Sequence, residues 1–512
     1  MSQFLIVQGE RASEWFVKGL DRFEALCGLR PAKKREDPGL CTAVFPTYFG
    51  GRGGAPDFVE RPDGEWICGA GAWLYGGSAG AAALERMLGH SLWLDDIEGM
   101  YVLARADASG LSVFTDRTGT LHAFEATIDS HVLISTSSLV LAALTKPDWD
   151  QDSLREFLSY GNVFENRTLW RGITKLEPAR EYRFQDGRLT SQQKYWELRD
   201  HVWDQSSERG SVKAMAEALV ESVRAIAAVN DAPVFDLTGG FDSRAVIGAA
   251  RNAVSTVVVG LENDADVRVA RLIAQTYRHP FQRLDPPRIW EQDLPRALAL
   301  CDGEYDLLEY ARIAQVQSTL AKTFSASVNG SNGEICKGYW WELLFPFTGS
   351  KGRFDARKVA AGRFAAYSGV ASTLAHRFPT TLIEHYTQVI ERACQGWEGL
   401  PNTALMDNVY LTLRMQRWQG RIASSTCRLC IPVPPPHGDR PVGTRGFAGP
   451  ESLRATADGT PGPEARRDSP GAGVSGVAAP PRYRAPFLAP AGRDRRKCDG
   501  EATSKTRATP AG

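Results

Sequence analysis

One stretch limits what this chain can fold into more than any other: Phe235-Asp236-Leu237-Thr238-Gly239-Gly240-Phe241-Asp242-Ser243-Arg244. An apolar run, 233–237, ends in a hydroxyl, two glycines and an Asp-Ser pair, and a helical period begins near Ser243. Glycines let the backbone turn tightly and bring bare N–H groups close to an anion. The helix that follows adds its positive dipole end and unpaired N–H groups. Thr238 and Ser243 supply hydroxyl donors, and Asp242 is a hard-oxygen ligand suited to Mg²⁺ on a phosphate chain. Gly-Gly alone is common in ordinary strand-to-helix turns, but the full six-residue combination at such a junction favours phosphate. A second apolar run, 255–260, and helical periods over 211–229 and 266–277 surround the motif. Strands alternating with helices predict a parallel sheet wrapped by helices.

The rest of the chain changes character around this block. Residues 1 to 200 carry short alternating apolar runs separated by Gly, Asp and Ser, such as Tyr101-Val102-Leu103-Ala104, Leu111-Ser112-Val113-Phe114 and His131-Val132-Leu133-Ile134-Ser135. These read as strands and turns. A mainly helical stretch, with apolar faces in 354–370, 380–396 and 405–422, follows the parallel block. Near Pro432 the composition breaks into Pro, Gly, Arg, Ala and Ser without periodicity. The break is abrupt and follows a helix still lacking packing partners, the pattern of translation in a shifted reading frame; a disordered basic tail is the alternative. At 512 residues the chain is too long for one core. Its 60 Lys+Arg balance 60 Asp+Glu, which argues against nucleic acid and anionic membrane as partners. No apolar run is long enough to span a bilayer, Met1–Val7 has no signal-peptide character, and nine scattered cysteines suit a reducing cytoplasm.

Thr238 to Ser243 resembles the pyrophosphate-binding loop of the ATP-pyrophosphatase enzymes, usually Ser-Gly-Gly-x-Asp-Ser. Within those enzymes the chain is similar to the asparagine synthetase superfamily over roughly residues 90 to 430. Ile97-Glu98-Gly99-Met100-Tyr101 and Asp116-Arg117-Thr118-Gly119 are similar to the family's Leu-x-Gly-x-Phe and Asp-Arg-x-Gly elements. Tyr160-Gly161, Thr168-Leu169-Trp170, Gly172-Ile173, Leu176, Pro178 and Tyr195-Trp196 look like the segment joining the family's two domains.

The resemblance implies an α+β N-terminal glutaminase-like sandwich of the Ntn-hydrolase type over 1–200. An α/β ATP-pyrophosphatase domain with a parallel sheet would follow over 205–431, apparently truncated, and then the aberrant tail 432–512. It implies ATP and Mg²⁺, and activation of a small-molecule or peptide carboxylate as an acyl-adenylate that an amine then captures as an amide. The loop residues Thr238, Gly239, Gly240, Asp242 and Ser243 would hold the pyrophosphate, with Leu237 and Val259 at the nucleotide. Asn329-Gly330 falls where the family has Ser-Gly, with one residue of gap allowed. Asp242 and Glu334 would hold the metal, and Asp242, Ser243 and Glu334 are the candidate catalytic residues. Asp266, after the second strand, is expected to cap its helix. A homodimer is one assembly the resemblance allows.

Several positions depart from the family. Ser2 stands where glutamine-dependent members carry Cys, and a hydroxyl is a far weaker nucleophile at neutral pH. In place of the family's Asn-Gly-Glu the chain reads Gly69-Ala70-Gly71-Ala72-Trp73-Leu74-Tyr75, so the first domain is expected to lack glutaminase activity. Ser331 replaces a Glu, Gly333-Glu334 replaces Asp-Glu, and neither Lys497 nor Lys505 matches the family's transition-state lysine. These departures favour a synthetase joining a carboxylate to a substrate amine, as in β-lactam synthetases and lasso-peptide cyclases. Asparagine synthesis from aspartate and a nucleotide-binding pseudoenzyme are the alternatives. Cys427-x-x-Cys430 has no second pair and is not expected to bind zinc.

Overall fold

The computed structural model describes residues 3–46, 57–89, 94–201, 208–250, 252–331, 333, 340–344, 353–365, 381–415 and 428–429. All lie in one compact unit, Met1–Gly459. Ser2, Glu334, Cys427, Cys430, Lys497, Lys505 and the segment 432–512 lie outside the described residues.

The first part of the chain builds two antiparallel sheets. One runs β11-β9-β10-β1-β3-β2, from β1 (Gln3–Gln8), β2 (Lys33–Asp37), β3 (Leu40–Phe45), β9 (Phe124–Ile128), β10 (His131–Ser135) and β11 (Ile173–Lys175). The other runs β13-β12-β8-β7-β5-β4, from β4 (Phe58–Glu60), β5 (Trp66–Tyr75), β7 (Glu98–Asp107), β8 (Gly110–Thr115), β12 (Arg180–Gln185) and β13 (Arg188–Lys194). A two-residue strand, β6 (Ser78–Ala79), pairs with β5. The strands expected over 101–104, 111–114 and 131–135 all fall inside these elements.

Successive side chains on a strand point to opposite faces, so a strand sandwiched on both sides reads as an unbroken apolar run. In β1, Phe4 and Ile6 face the second sheet and pack with Trp66, Cys68, Val102, Val113 and Phe184. Leu5 and Val7 face the other way, onto Phe16 and Phe23 of α1 (Ala12–Cys27) and Val140 and Leu141 of α3 (Ser138–Thr145). The outer face of the second sheet is covered in turn by Leu84, Met87 and Leu88 of α2 (Gly80–Gly89), against Ile67, Trp73 and Leu103. The layers are helix, sheet, sheet, helix, and the sequence expectation of an α+β sandwich is met at that level.

A parallel sheet follows, in the order β16-β15-β14-β17-β18. Its strands are β14 (Pro233–Asp236), β15 (Ser255–Val259), β16 (Phe281–Leu284), β17 (Ala326–Val328) and β18 (Arg428–Leu429). One face buries Phe235, Val258 and Val328 against α5 (Glu208–Val229), α6 (Phe241–Ala249) and α7 (Ala265–Tyr277). The other buries Val234 and Val257 against Leu320, the last residue of α9 (Leu307–Leu320). Helices on both faces of parallel strands are the arrangement that the strand–helix alternation predicts.

Helices Leu382–Ala393 and Asn402–Val409 bury Tyr386, Ile390, Met406 and Val409 in an aromatic cluster with Trp340 and Phe364. Tyr160, at the end of α4 (Gln151–Tyr160), and Phe164 belong to the same cluster, with the Tyr160 and Phe364 rings 5.0 Å apart. Among the described residues no helix is long and apolar enough to cross a membrane.

Candidate functional site

In a doubly wound sheet, ligands bind outside the carboxyl ends of the strands, where the strand order reverses. Here β14 comes first in the chain and sits centrally, with β15 and β16 to one side and β17 to the other. The switch point is therefore between β14 and β17, which pair in parallel from Pro233↔Ala326 to Phe235↔Val328. The loop 237–240 leaves the first of these strands, and the loop beginning at Asn329 leaves the second.

The two loops touch. A Cβ placed on Gly330 would lie 2.6 Å from the carbonyl carbon of Asp242 and 2.7 Å from the Ser243 nitrogen. One on Gly333 would lie 2.5 Å from Asp242 Oδ1. Gly330 is thus required by close approach to backbone, and at Gly333 the Asp242 side chain lies against the second loop. Asn329 is 4% exposed; its Oδ1 accepts from the Ser331 amide at 2.8 Å, while its buried Nδ2 has no hydrogen-bond partner among the described residues. Ser327 Oγ reaches Asp236 Oδ1 at 3.5 Å one step behind, across the same strand pair.

Within the first loop the hydroxyls organise the backbone. Ser243 Oγ accepts from the Thr238 amide at 3.0 Å, and Thr238 Oγ1 accepts from the Gly240 amide at 3.1 Å. The two hydroxyls are 3.0 Å apart. Helix α6 starts at Phe241, two residues before the expected position, and its N-cap, Gly240, offers no side chain to the first-turn amides. A helix N-terminus is where an anion is favoured. Leu237 is fully buried behind the loop, with its amide bonded to Val257 O at 2.8 Å. Val259, 43% exposed, ends the neighbouring strand.

Asp266 is not a helix cap. Asp264 holds the N-cap position of α7, and its Oδ2 accepts from the Leu261 amide at 2.7 Å. Asp266, inside the first turn, sends Oδ1 across to the Gly239 amide at 3.2 Å. The reason is the sheet order: β14 and β15 are neighbours, so α7 begins beside the glycine loop. Twenty-seven residues separate the partners, and no local pattern signals the contact. The role of Gly333 was also unmarked in the sequence, because the close approach is made by another element.

The chain has no matching family model and no matching curated protein. Among solved structures it is similar to a glutamine phosphoribosylpyrophosphate amidotransferase from B. subtilis complexed with ADP and GMP. That similarity has 10% identity and a TM-score of 0.26, over 55% of this chain and 65% of that one, under two thirds of its length. A second, described as the allosteric regulatory enzyme of purine biosynthesis, is 11% identical with a TM-score of 0.27, over 61% of this chain and 78% of that one.

The donor set suits a magnesium–phosphate complex. Among the described residues no three His, Cys, Asp or Glu side chains converge to cage a metal by themselves. Mg²⁺ characteristically takes one or two carboxylates and completes its shell with phosphate oxygens and water. Asp242, against the second loop beside a helix N-terminus, can supply such a carboxylate.

The sandwich has no comparable open constellation among its described residues. Asp116 is fully buried and spends its carboxylate on its own turn, accepting from the amides of Thr118, Thr120 and Leu121 at 2.9–3.0 Å. Burial pushes that carboxyl up, and these hydrogen bonds pull it back. Gly71 lies inside β5 at φ 113°, where a Cβ would meet Met100 O at 2.1 Å. Residues 69–75 are therefore a tightly packed stretch of β5. Burial also pushes the Cys41 thiol up to about 11 and Cys394 up to about 12, so neither offers a thiolate near neutral pH.

Proposed function

We propose that the chain is an ATP-dependent amide synthetase of the asparagine synthetase type. It would convert ATP and a carboxylate to an acyl-adenylate and pyrophosphate; an amine then attacks the acyl carbon, and AMP leaves as the amide forms and a proton is lost. The observation that carries this reading is the contact of two glycine loops around Asp242 at the switch point of the parallel sheet.

In this reading the N-terminus of α6 and the hydroxyls of Thr238 and Ser243 receive the pyrophosphate. Leu237 and Val259, ending adjacent strands, flank the nucleotide, and Asn329 and Gly330 close the opposite side. Asp242, with Glu334, holds Mg²⁺, which when bound offsets charge on the phosphate chain. Fixed dipoles aimed at developing charge need no reorganisation during reaction, and this is the largest contribution such a site makes. The domain assignment 1–200 and 205–431 belongs to the same proposal, with the sandwich a glutamine amidotransferase-like scaffold without glutaminase activity. The amine would then come from the substrate itself.

ATP–pyrophosphate exchange tests it. With a suitable carboxylate the protein should move labelled pyrophosphate into ATP, and Asp242→Asn should reduce the rate on the order of a hundredfold. Exchange supported by free aspartate would favour asparagine synthesis, and exchange supported by a peptide or modified amino acid would favour the cyclase-like reading. ATP binding without exchange on any carboxylate would leave a nucleotide-binding pseudoenzyme.

A further inference from the structure

We infer that Asp266 makes the glycine loop selective for polyphosphate that arrives complexed with a divalent cation. The inference rests on the nucleotide reading of the loop and assigns a residue outside the loop to its selectivity. Three backbone amides of the loop are satisfied within the fold, and they differ in kind. Those of Thr238 and Gly240 are held by neutral hydroxyls, at 3.0 and 3.1 Å. That of Gly239 is held by the Asp266 carboxylate, at 3.2 Å. An anion thus sits at the amide that a phosphate oxygen approaching the loop would meet.

Among the described residues Asp266 forms no ion pair, and the nearby arginines are engaged elsewhere. Arg271, on the same helix, pairs with Glu262. Arg283, on β16, pairs with Glu262 and Asp285. Arg268 donates to the Asn263 carbonyl at 2.7 Å. Arg244, the cation on the loop's own helix, donates to the Gly240 carbonyl at 3.3 Å and lies 4.4 Å from the Phe241 ring centroid. Asp242 adds a second carboxylate on the other side of the loop. Metal-free triphosphate would meet the Asp266 carboxylate with its full charge. The cation-bound form has lower charge and is repelled less.

The variant Asp266→Asn keeps an oxygen for the Gly239 amide and removes only the charge. Calorimetric titration of the full-length protein with ATP, once with excess Mg²⁺ and once with EDTA, reads the effect. In the wild type the EDTA titration should be weaker by about tenfold or more, and in Asp266→Asn that gap should shrink by about tenfold while Mg²⁺–ATP binding changes less than twofold. A merely structural contact would weaken both titrations together, and that result would overturn the inference. No ATP binding by wild type or variant would sink the nucleotide reading itself, and this inference with it. Asp266→Ser serves as the second variant, and loss of the fold in both would make Asp266 a structural residue and overturn the assignment.

Discussion

Gly330 and Gly333 both face Asp242, yet one methyl group should cost different things at the two positions. At Gly330 the added Cβ meets backbone atoms of Asp242 and Ser243, which cannot move without shifting the start of α6. At Gly333 it meets side-chain atoms of Asp242, Oδ1 at 2.5 Å and Cγ at 2.7 Å, which can give by rotation about the Cα–Cβ bond. Gly330→Ala should therefore lower stability by about 1–3 kcal/mol, the usual cost of overpacking. Gly333→Ala should leave stability within about 0.5 kcal/mol while weakening Mg²⁺–ATP binding. Denaturant melts and nucleotide titrations of the two variants would separate these effects, and equal stability losses would contradict the assignment. At this scale the sequence placed the strand-to-helix turn at 237–240, where glycines follow an apolar run. It placed Asp266 at a helix cap instead of against Gly239 and did not mark Gly333, since their contacts are with other elements.

Helix α3 shows an element completed from a distance. Its own N-cap, Ser137, accepts from the Val140 amide at 3.3 Å. The Ser138 and Leu139 amides are taken by the carboxylate of Asp302, at 2.7 and 3.1 Å, and Ser137 Oγ also donates to it at 2.5 Å. Asp302 follows α8 (Leu294–Cys301) and is 1% exposed. Asp302→Ala strands buried donors, and chemical denaturation should show a loss of about 2–4 kcal/mol. A loss below 1 kcal/mol would mean that water or Ser137 replaces the carboxylate. Strands and the helices around the parallel sheet were readable from periodicity, whereas the later helices were less so. Turns of π-helix over Ala360–Phe364 and Tyr410–Met415 break the 3.6-residue repeat, so apolar faces expected to run on through 354–370 and 405–422 change course there. The early start of α6 escaped for another reason: glycine at an N-cap leaves no side-chain signal.

At the scale of the molecule, sandwich and parallel sheet are joined by buried polar contacts as well as apolar ones. His122 Nδ1 lies 2.8 Å from Glu304 Oε2, and Lys175 Nζ lies 3.8 Å from Glu304 Oε1. Glu156 of α4, wholly buried, meets Arg167 and His385. Buried charges are costly to separate from their partners, so the two regions should unfold together. Scanning calorimetry should give one transition for the described unit, with calorimetric and van't Hoff enthalpies in agreement; two resolved transitions would show that the regions fold independently. The length predicted more than one core, but nothing in the sequence foretold which residues would cross between the regions.

The capping of α3 by Asp302 also bears on how such a protein can change over time. A sandwich moved by recombination onto a different partner would carry a helix whose first amides had been finished by the partner it left behind. A parallel-sheet region moved alone would carry a carboxylate with nothing to hold. Inheritance is then easiest for the pair as a whole, and exchange of either half must first rebuild the missing end of one helix.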